Sequence, residues 1–356
     1  MRAISEDHYQ ERRSAYDVTN GVHVGSPSAV RQAVGEIYAD LYPSSAFDPV
    51  LLAFLDFERY FEGRHPDYHG VDTAYHDIQH TLDMTLALAR LIAGHERSVA
   101  ADARLGSDRA SLGLIAALYH DSGYLRHKVR DRAFVNGAEF TLTHVSRSAE
   151  FLRAYLPSLG LERFIPVATQ IVHFTGYEYS LDTIELDDPK DSTIGHLLGT
   201  ADLIAQMADR CYLEKCRDRL FAEFVLAGIA IEEGADTSVV RYRSGKHLLA
   251  KTLSFYERFA RERLDRSFNR AYRFLESYFR DENLYVLYIR KNLDYLSRII
   301  STEQWNELRR QPPCFMPNPI GEAHMTALAL HRIKSLADAR KIALKGRSDL
   351  LPAYGH

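Results

Sequence analysis

Residues 75–93 have the sequence YHDIQHTLDMTLALARLIA, in which apolar side chains such as Ile78 and Leu82 recur at the spacing of one helix face. A loop rich in Pro, Gly and Asp, residues 64–73, precedes this stretch. The pattern therefore predicts an amphipathic helix over about residues 76–93. Helical spacing also recurs in nearly every other periodic segment, and no alternating strand pattern extends beyond a few positions. The sequence predicts an all-α fold.

The predicted chain has three parts: a polar N-terminal arm (1–27), a helical core (28–233) and a C-terminal helical part packed on that core (234–356). The acidic segment 177–191 is predicted to be a solvated loop, because its spacing does not match a calcium-binding loop. The predicted helices cover about residues 28–41, 49–61, 76–93, 108–120, 143–156, 162–174, 192–209, 213–233, 245–262, 266–279, 283–299, 302–310 and 321–343.

Composition narrows the classes of partner. The 356 residues are 46% apolar and 26% charged, with a net charge of −4. No global basic field is therefore available for a nucleic-acid polymer or an anionic lipid surface, and a small-molecule partner is favoured. No apolar stretch approaches the roughly 20 residues that cross a membrane. The oligomeric state is left open.

The location of the protein is predicted from its N-terminus and its cysteines. The first residues, MRAISEDHYQERR, carry charges where a signal peptide would need an apolar segment. The three cysteines, Cys211, Cys216 and Cys314, form neither a disulfide framework nor a zinc motif. We therefore expect a cytoplasmic protein with thiols packed among helices.

Among sixteen histidines, two local groups stand out. His76 and His80 lie four residues apart at a predicted helix start, so both imidazoles can serve one site. His120 and Asp121 end an otherwise apolar helix, where an unpaired buried carboxylate would be costly and a cation would compensate for that cost. Asp121 could instead cap or bond a neighbouring helix.

A third polar residue, Asp202, lies in an apolar helical tract. Gly195 and Gly199 lie near the same helix face. They would leave space beside the carboxylate for an ion and its waters, or would allow close helix packing.

These residues resemble the HD superfamily of metal-dependent phosphohydrolases over roughly residues 70–210. The tract Tyr-His-Asp-x-x-His-Thr-x-Asp at 75–83 is especially similar to the Tyr-His-Asn-x-x-His-Ala-x-Asp of class I cyclic-nucleotide phosphodiesterases. The resemblance implies an HD/phosphodiesterase-like helical bundle with a C-terminal helical extension, in which residues 28–233 form the catalytic core.

By this resemblance, His80, His120, Asp121 and Asp202 take metal-ligand positions. His76 takes the position of the general acid that protonates the leaving oxygen. Two imidazoles and two carboxylates suit a hard or borderline divalent ion, which would activate a bound water near neutral pH.

Two further histidines complete an order typical of two-metal HD proteins. His144 and His173 lie between Asp121 and Asp202 in sequence. The resemblance implies that they hold a second ion and that Asp121 bridges the two. The ions would be Mn, Mg, Zn or Fe. The HD-type di-iron oxygenases share this ligand order, whereas a second histidine at position 76 has a clear role only in phosphoester cleavage.

The substrate is less well specified. The cyclic-nucleotide enzymes have another histidine three residues after their His-Asp pair, where this chain has Tyr124. A basic run follows the pair, and Arg126, Lys128 and Arg130 could neutralise substrate phosphate, although a solvated loop explains the run equally well.

Together these features predict a metal-dependent phosphohydrolase, a phosphodiesterase acting on a cyclic or linear nucleotide by attack of a metal-activated hydroxide. Two alternatives remain at this stage. One is a di-iron oxygenase with the same ligands. The other is a degenerate module that binds a nucleotide for regulation.

Overall fold

The computed structural model describes residues 12–233, 238–318 and 320–348. Within these ranges the chain is largely helical, and the sheet that they contain is one antiparallel hairpin, β1 (Ile231–Glu233) and β2 (Ser238–Val240). The predicted all-α class is confirmed.

The helices follow the predicted order, with short 3₁₀ and π-helical segments between several of them. The α-helices are α1 (Pro27–Leu41), α2 (Asp48–Phe61), α3 (Ile78–Ser98), α4 (Gly106–Tyr119), α5 (His144–Tyr155), α6 (Ile165–Ile171), α7 (Pro189–Ala208), α8 (Tyr212–Lys215), α9 (Phe221–Leu226), α10 (Gly245–Phe255), α11 (Phe274–Phe279), α12 (Leu284–Thr302) and α13 (Gly321–Ser348).

Helix α3 lies at the centre of the fold. It packs against α1, α4, α7 and α11, and every residue from Ile78 to Glu96 is buried. Asp77 caps its N-terminus, because the side-chain oxygen accepts a hydrogen bond from the backbone N–H of His80 at 3.0 Å. The helix therefore begins two residues later than predicted, and His76 lies in the segment before it.

Two glycines allow close packing of the elements around α3. A Cβ atom on Gly123 would lie 1.8 Å from the carbonyl oxygen of His144, so glycine allows the start of α5 to reach the end of α4. A Cβ atom on Gly199 would lie 2.6 Å from both the carbonyl oxygen of Phe174 and the ring of Phe268. Gly199 therefore allows close packing, rather than leaving space for an ion.

The part of the predicted N-terminal arm that the structure describes is packed on the helices. Residues 1–11 lie outside the described ranges. Asp17 is fully buried, and it accepts a hydrogen bond at 2.6 Å from Arg90 on α3. Residues 12–26 therefore contribute to the core instead of projecting from it.

The predicted C-terminal part contacts several core elements. Helix α11 packs on α3, α12 packs on α7, and α13 packs on α9. Residues 234–237, 319 and 349–356 of this part lie outside the described ranges. Among the helices that the structure describes, none is both long and apolar enough to cross a lipid bilayer.

Three predicted helices differ from the structure. The predicted 266–279 helix is interrupted by the left-handed residues Asn269 and Arg270, and α11 begins only at Phe274. Helix α9 ends at Leu226, and the predicted 213–233 segment then continues into β1. The predicted 302–310 helix is reduced to one 3₁₀ turn, Trp305–Glu307, because Glu303 adopts a left-handed conformation that ends α12.

Candidate metal centre

The ends of α3 and α4 bring three predicted ligands together. His80 lies in the first turn of α3, whereas His120 and Asp121 directly follow α4. The Nε2 atoms of the two histidines lie 3.3 Å apart. Asp121 Oδ2 lies 3.4 Å from Nε2 of His80 and 3.1 Å from Nε2 of His120. These three buried residues could hold a metal ion.

Asp202, on α7, adds a second carboxylate to the group. Its Oδ1 atom lies 3.3 Å from Nε2 of His80 and 3.8 Å from Nε2 of His120. The side-chain amide of Gln206, one turn further along α7, donates to the same oxygen at 3.3 Å. Three helices that are distant in sequence therefore converge on one point.

The donor atoms of this group fit a cation. Nδ1 of His120 lies 2.8 Å from the carbonyl oxygen of Ala117. Because a carbonyl oxygen can only accept, Nδ1 carries the hydrogen and the Nε2 of the neutral ring presents a lone pair to the cluster. Asp121 Oδ2 is buried and has no hydrogen-bond partner among the described residues. A metal ion would satisfy both atoms.

The pKa shifts of Asp121 and His120 agree with a site for a cation. Burial alone would raise the pKa of Asp121, but the adjacent His120 and two further imidazoles hold that pKa well below its usual range. Burial would likewise lower the pKa of His120, whereas Asp121 raises it to about 9. The carboxylate therefore attracts a cation, and without metal a proton on His120 takes that role.

The fifth member, His144, lies at the edge of the group. Its Nε2 atom is 3.7 Å from Oδ1 of Asp121, the oxygen that does not face His80 and His120. Its Nδ1 atom donates to the carbonyl oxygen of Thr141 at 2.8 Å. The lone pair of Nε2 is thus available on the side where Asp121 could bridge to a second ion.

His173, the sixth predicted ligand, is not brought into contact with the others. Its Nδ1 atom is buried without a hydrogen-bond partner, and its ring packs edge-on against Tyr179 at 4.6 Å. No ion pair joins it to a carboxylate within the described ranges. The structure therefore gathers five of the six predicted ligands. The five gathered residues, His80, His120, Asp121, His144 and Asp202, form the metal group.

His76 lies beside the metal group, but its hydrogen-bond partner is a different residue. Its Nδ1 atom is 2.6 Å from Oε2 of Glu223, which is fully buried on α9. The ring centroid is 5.9 Å from that of His80, and the ring stacks on Tyr124 at 4.6 Å. Burial would lower the pKa of His76, but Glu223 reverses this effect and raises it above the usual value.

No sequence pattern singled out Glu223. It also accepts the backbone N–H of Tyr75 at 2.7 Å, so one carboxylate anchors the whole segment before α3. The available signal was a single acidic residue in the apolar run FAEFVL (221–226). Such a residue needs a buried partner, but the run does not indicate which one.

The predicted phosphate-binding residues have other partners in the structure. Arg126 pairs with Asp72 at 2.7 Å, and Lys128 donates to the backbone carbonyls of residues 65 and 66. Arg130 donates to the hydroxyl of Tyr68 at 3.2 Å. No described hydrogen bond or ion pair joins these three side chains to the metal group. They tie the 126–130 run to the preceding loop.

Comparisons of the chain with models of protein families, with curated proteins and with solved structures found no match.

Proposed function

We propose that this chain is a metal-dependent phosphohydrolase of the HD type, which cleaves a phosphodiester in a cyclic or linear nucleotide. The observation that carries the proposal is the pairing of His76 with Glu223 beside a group that can hold a metal. A histidine that is close to the metal group, yet anchored elsewhere, suits proton transfer better than ligation.

The metal group would supply the nucleophile. A divalent ion held by His80, His120, Asp121 and Asp202 would lower the pKa of a bound water and provide hydroxide near neutral pH. Manganese, magnesium, zinc and iron are all compatible with two imidazoles and two carboxylates. A second ion would use His144 and Oδ1 of Asp121, the oxygen that faces His144.

His76 would act as the general acid. Nδ1 donates its hydrogen to Glu223, so Nε2 is the nitrogen that can carry the transferable proton. Glu223 stabilises the doubly protonated ring, which can then protonate the departing alkoxide. Stacking on Tyr124 fixes the plane of the ring, so that the proton is delivered in one direction.

The position of His173 weighs against the di-iron alternative. An oxygenase with the six-residue ligand order would need His173 as a ligand of the second ion, yet its ring packs against Tyr179. The hydrolase proposal does not depend on that ligand. It needs only His80, His120, Asp121 and Asp202 as metal ligands and His76 as the acid.

Paired variants separate the acid from the ligands. His76→Ala should keep its metal content and lose phosphodiester turnover by roughly 10² to 10⁴, the usual contribution of a positioned acid. Asp121→Ala should lose most of its bound metal. His69→Ala, which replaces an exposed histidine, is the matched control and should change neither quantity.

The measurements are elemental analysis of the purified protein and turnover of a panel of cyclic and linear nucleotides. The loss in His76→Ala should be smaller for a nitrophenyl ester, because a nitrophenolate scarcely needs a proton to leave. Equal losses for both substrates would reject the acid role. Absence of phosphoester turnover in the metal-loaded wild type would reject the proposed function.

A further inference from the structure

Arg263 is a half-buried arginine with no carboxylate partner within the described ranges. It lies in the π-helical segment Arg263–Ser267. One guanidinium nitrogen donates to the carbonyl oxygen of Gly176 at 2.6 Å, and the guanidinium lies over the ring of Tyr177 at 3.8 Å from its centroid. These contacts hold the group in place without neutralising its charge.

Arg12 is also held by backbone carbonyls, but two other arginines removed from solvent have an acidic partner. Arg90 pairs with Asp17 at 2.6 Å, and Arg147 pairs with Asp131 at 2.8 Å. Taking a cation out of water is costly unless a counter-charge compensates for the lost hydration. The missing counter-charge of Arg263 is therefore a reason to look for an anionic ligand.

The position of Arg263 points to the metal group. Its contact residue Gly176 follows the 3₁₀ segment Val172–Thr175, which packs on α7, the helix that carries Asp202. Burial lowers the pKa of Arg263, and the neighbouring Tyr177 and the carboxylate of Asp202 oppose that effect. The guanidinium thus lies within electrostatic reach of a predicted metal ligand.

The other side of the same segment borders His144. Glu178 accepts the backbone N–H groups of Val145 and Ser146, at 2.7 and 3.0 Å, in the first turn of α5. Residues 172–178 therefore contact both helices that carry His144 and Asp202. Arg263 and Tyr177 lie where this segment meets solvent, and Tyr177 is 55% exposed.

We propose that Arg263 binds the anionic phosphoryl group of the substrate at the mouth of the metal group. The role predicted for Arg126, Lys128 and Arg130 is thereby assigned to a residue that lies outside the span of the family resemblance. The Gly176 carbonyl occupies one N–H, and the remaining donors of the planar guanidinium can form paired hydrogen bonds to phosphate oxygens. Tyr177 supports the face of the group and limits its rotation.

This inference rests on the proposed function for the identity of the substrate, but its test does not require turnover. The probe is inorganic phosphate, and its affinity for the metal-loaded protein is measured by calorimetry. Arg263→Gln should weaken phosphate binding about 10-fold or more, because a charge-assisted hydrogen bond is lost. Metal content and melting temperature should stay at wild-type values.

The matched control is Arg261→Gln. Arg261 lies two residues away, is exposed, and pairs with Glu257 and Asp265 at the surface. We expect it to bind phosphate as the wild type does. Arg263→Lys keeps the charge but loses the planar fork, and should recover part of the affinity.

A kinetic measurement extends the test. With bis(4-nitrophenyl) phosphate as substrate, Arg263→Gln should raise KM more than it lowers kcat, because the residue binds the anion in both the ground state and the transition state.

The outcomes distinguish the two proposals. Wild-type phosphate affinity in Arg263→Gln, or no phosphate binding by the wild type, would overturn the role of Arg263. A loss of metal or of folded protein in both Arg263 variants would make the residue structural and would also overturn it. Arg263-dependent phosphate binding in a protein that cleaves no phosphoester would keep the anion site and reject the hydrolase.

Discussion

Two histidines of the metal group are oriented by the backbone of their own chain segment. Nδ1 of His120 donates to the carbonyl of Ala117, and Nδ1 of His144 donates to the carbonyl of Thr141, in each case three residues earlier. A metal-binding imidazole needs its other nitrogen held in this way, because the bond fixes both tautomer and ring direction. Both rings are therefore already oriented as a metal ligand requires.

Glu223→Gln tests the role assigned to the carboxylate that faces His76. Glu223 raises the pKa of His76, so the ring stays protonated to a higher pH than an isolated histidine. The acid works only while protonated, and kcat should fall as pH rises through this pKa. The glutamine variant lowers the pKa, which should move the falling limb of the profile to lower pH.

The measurement is kcat against pH, with Glu232→Gln as the control. Glu232 is exposed on β1 and pairs with Arg241. An unchanged falling limb in Glu223→Gln would show that this limb reports a group other than His76.

The structure brings together candidate residues whose signal was local in sequence. His76 and His80, like His120 and Asp121, lie close enough along the chain for spacing and burial cost to single them out. Glu223 lies 147 residues from His76, and its partner is set by how α9 packs on the segment before α3. Such a pair has no local pattern, and the unpaired charge of Arg263 also becomes visible only in the folded chain.

At the level of elements, the start of α5 depends on Gly123. In Gly123→Ala the new methyl group would overlap the carbonyl of His144, so α5 must move away from the end of α4. We expect the free energy of unfolding to fall by about 1–3 kcal/mol, the usual cost of overpacking. His144 should also move away from Asp121, which should weaken the binding of any second ion.

The measurements are denaturant unfolding and metal stoichiometry, and Gly35→Ala is the control. A Cβ atom on Gly35 would meet the ring of Phe47 at 3.5 Å, an ordinary contact, and alanine favours the helix α1. Equal stability of the two variants would contradict the packing argument.

Elements with a continuous apolar face were predicted to within a few residues, as α1 and α2 illustrate. Prediction failed after α9, where helical spacing continues in the sequence but the chain turns. Gly228 adopts a left-handed conformation with φ of 74°, and the chain then enters β1. The pairing of β1 with β2 is a tertiary contact that three-residue strands do not reveal in sequence.

At the scale of the whole molecule, Arg219 joins the C-terminal helix to the segment that carries the proposed acid. Arg219 is 1% exposed, and its Nε atom donates to Glu322 of α13 at 2.9 Å. Another nitrogen lies 3.9 Å from Oδ2 of Asp77, the residue that caps α3. The C-terminal helix is thus tied to the start of the central helix.

Glu322→Gln measures the strength of this connection. Removal of the carboxylate leaves the buried guanidinium with a weaker partner, which should lower the free energy of unfolding. Glu322 is 36% exposed, so solvent limits the loss to about 1–2 kcal/mol. Chemical denaturation gives the value.

The control is Glu307→Gln, which removes the partner of Arg298 in a more exposed ion pair of the same C-terminal part. Its effect should stay under about 1 kcal/mol. If Glu322→Gln costs no more than Glu307→Gln, the connection contributes little to the stability of the fold.

The complete burial of α3 also determines how isotope exchange would report on the metal. Solvent can reach the amides from Ile78 to Glu96 only when the surrounding helices separate, so their exchange follows the global opening of the fold. Because His80 lies in the same helix, an ion that binds the folded chain suppresses this opening. At one hundred times its dissociation constant the ion adds about 2.7 kcal/mol. Deuterium uptake along α3 would therefore measure metal affinity without any substrate.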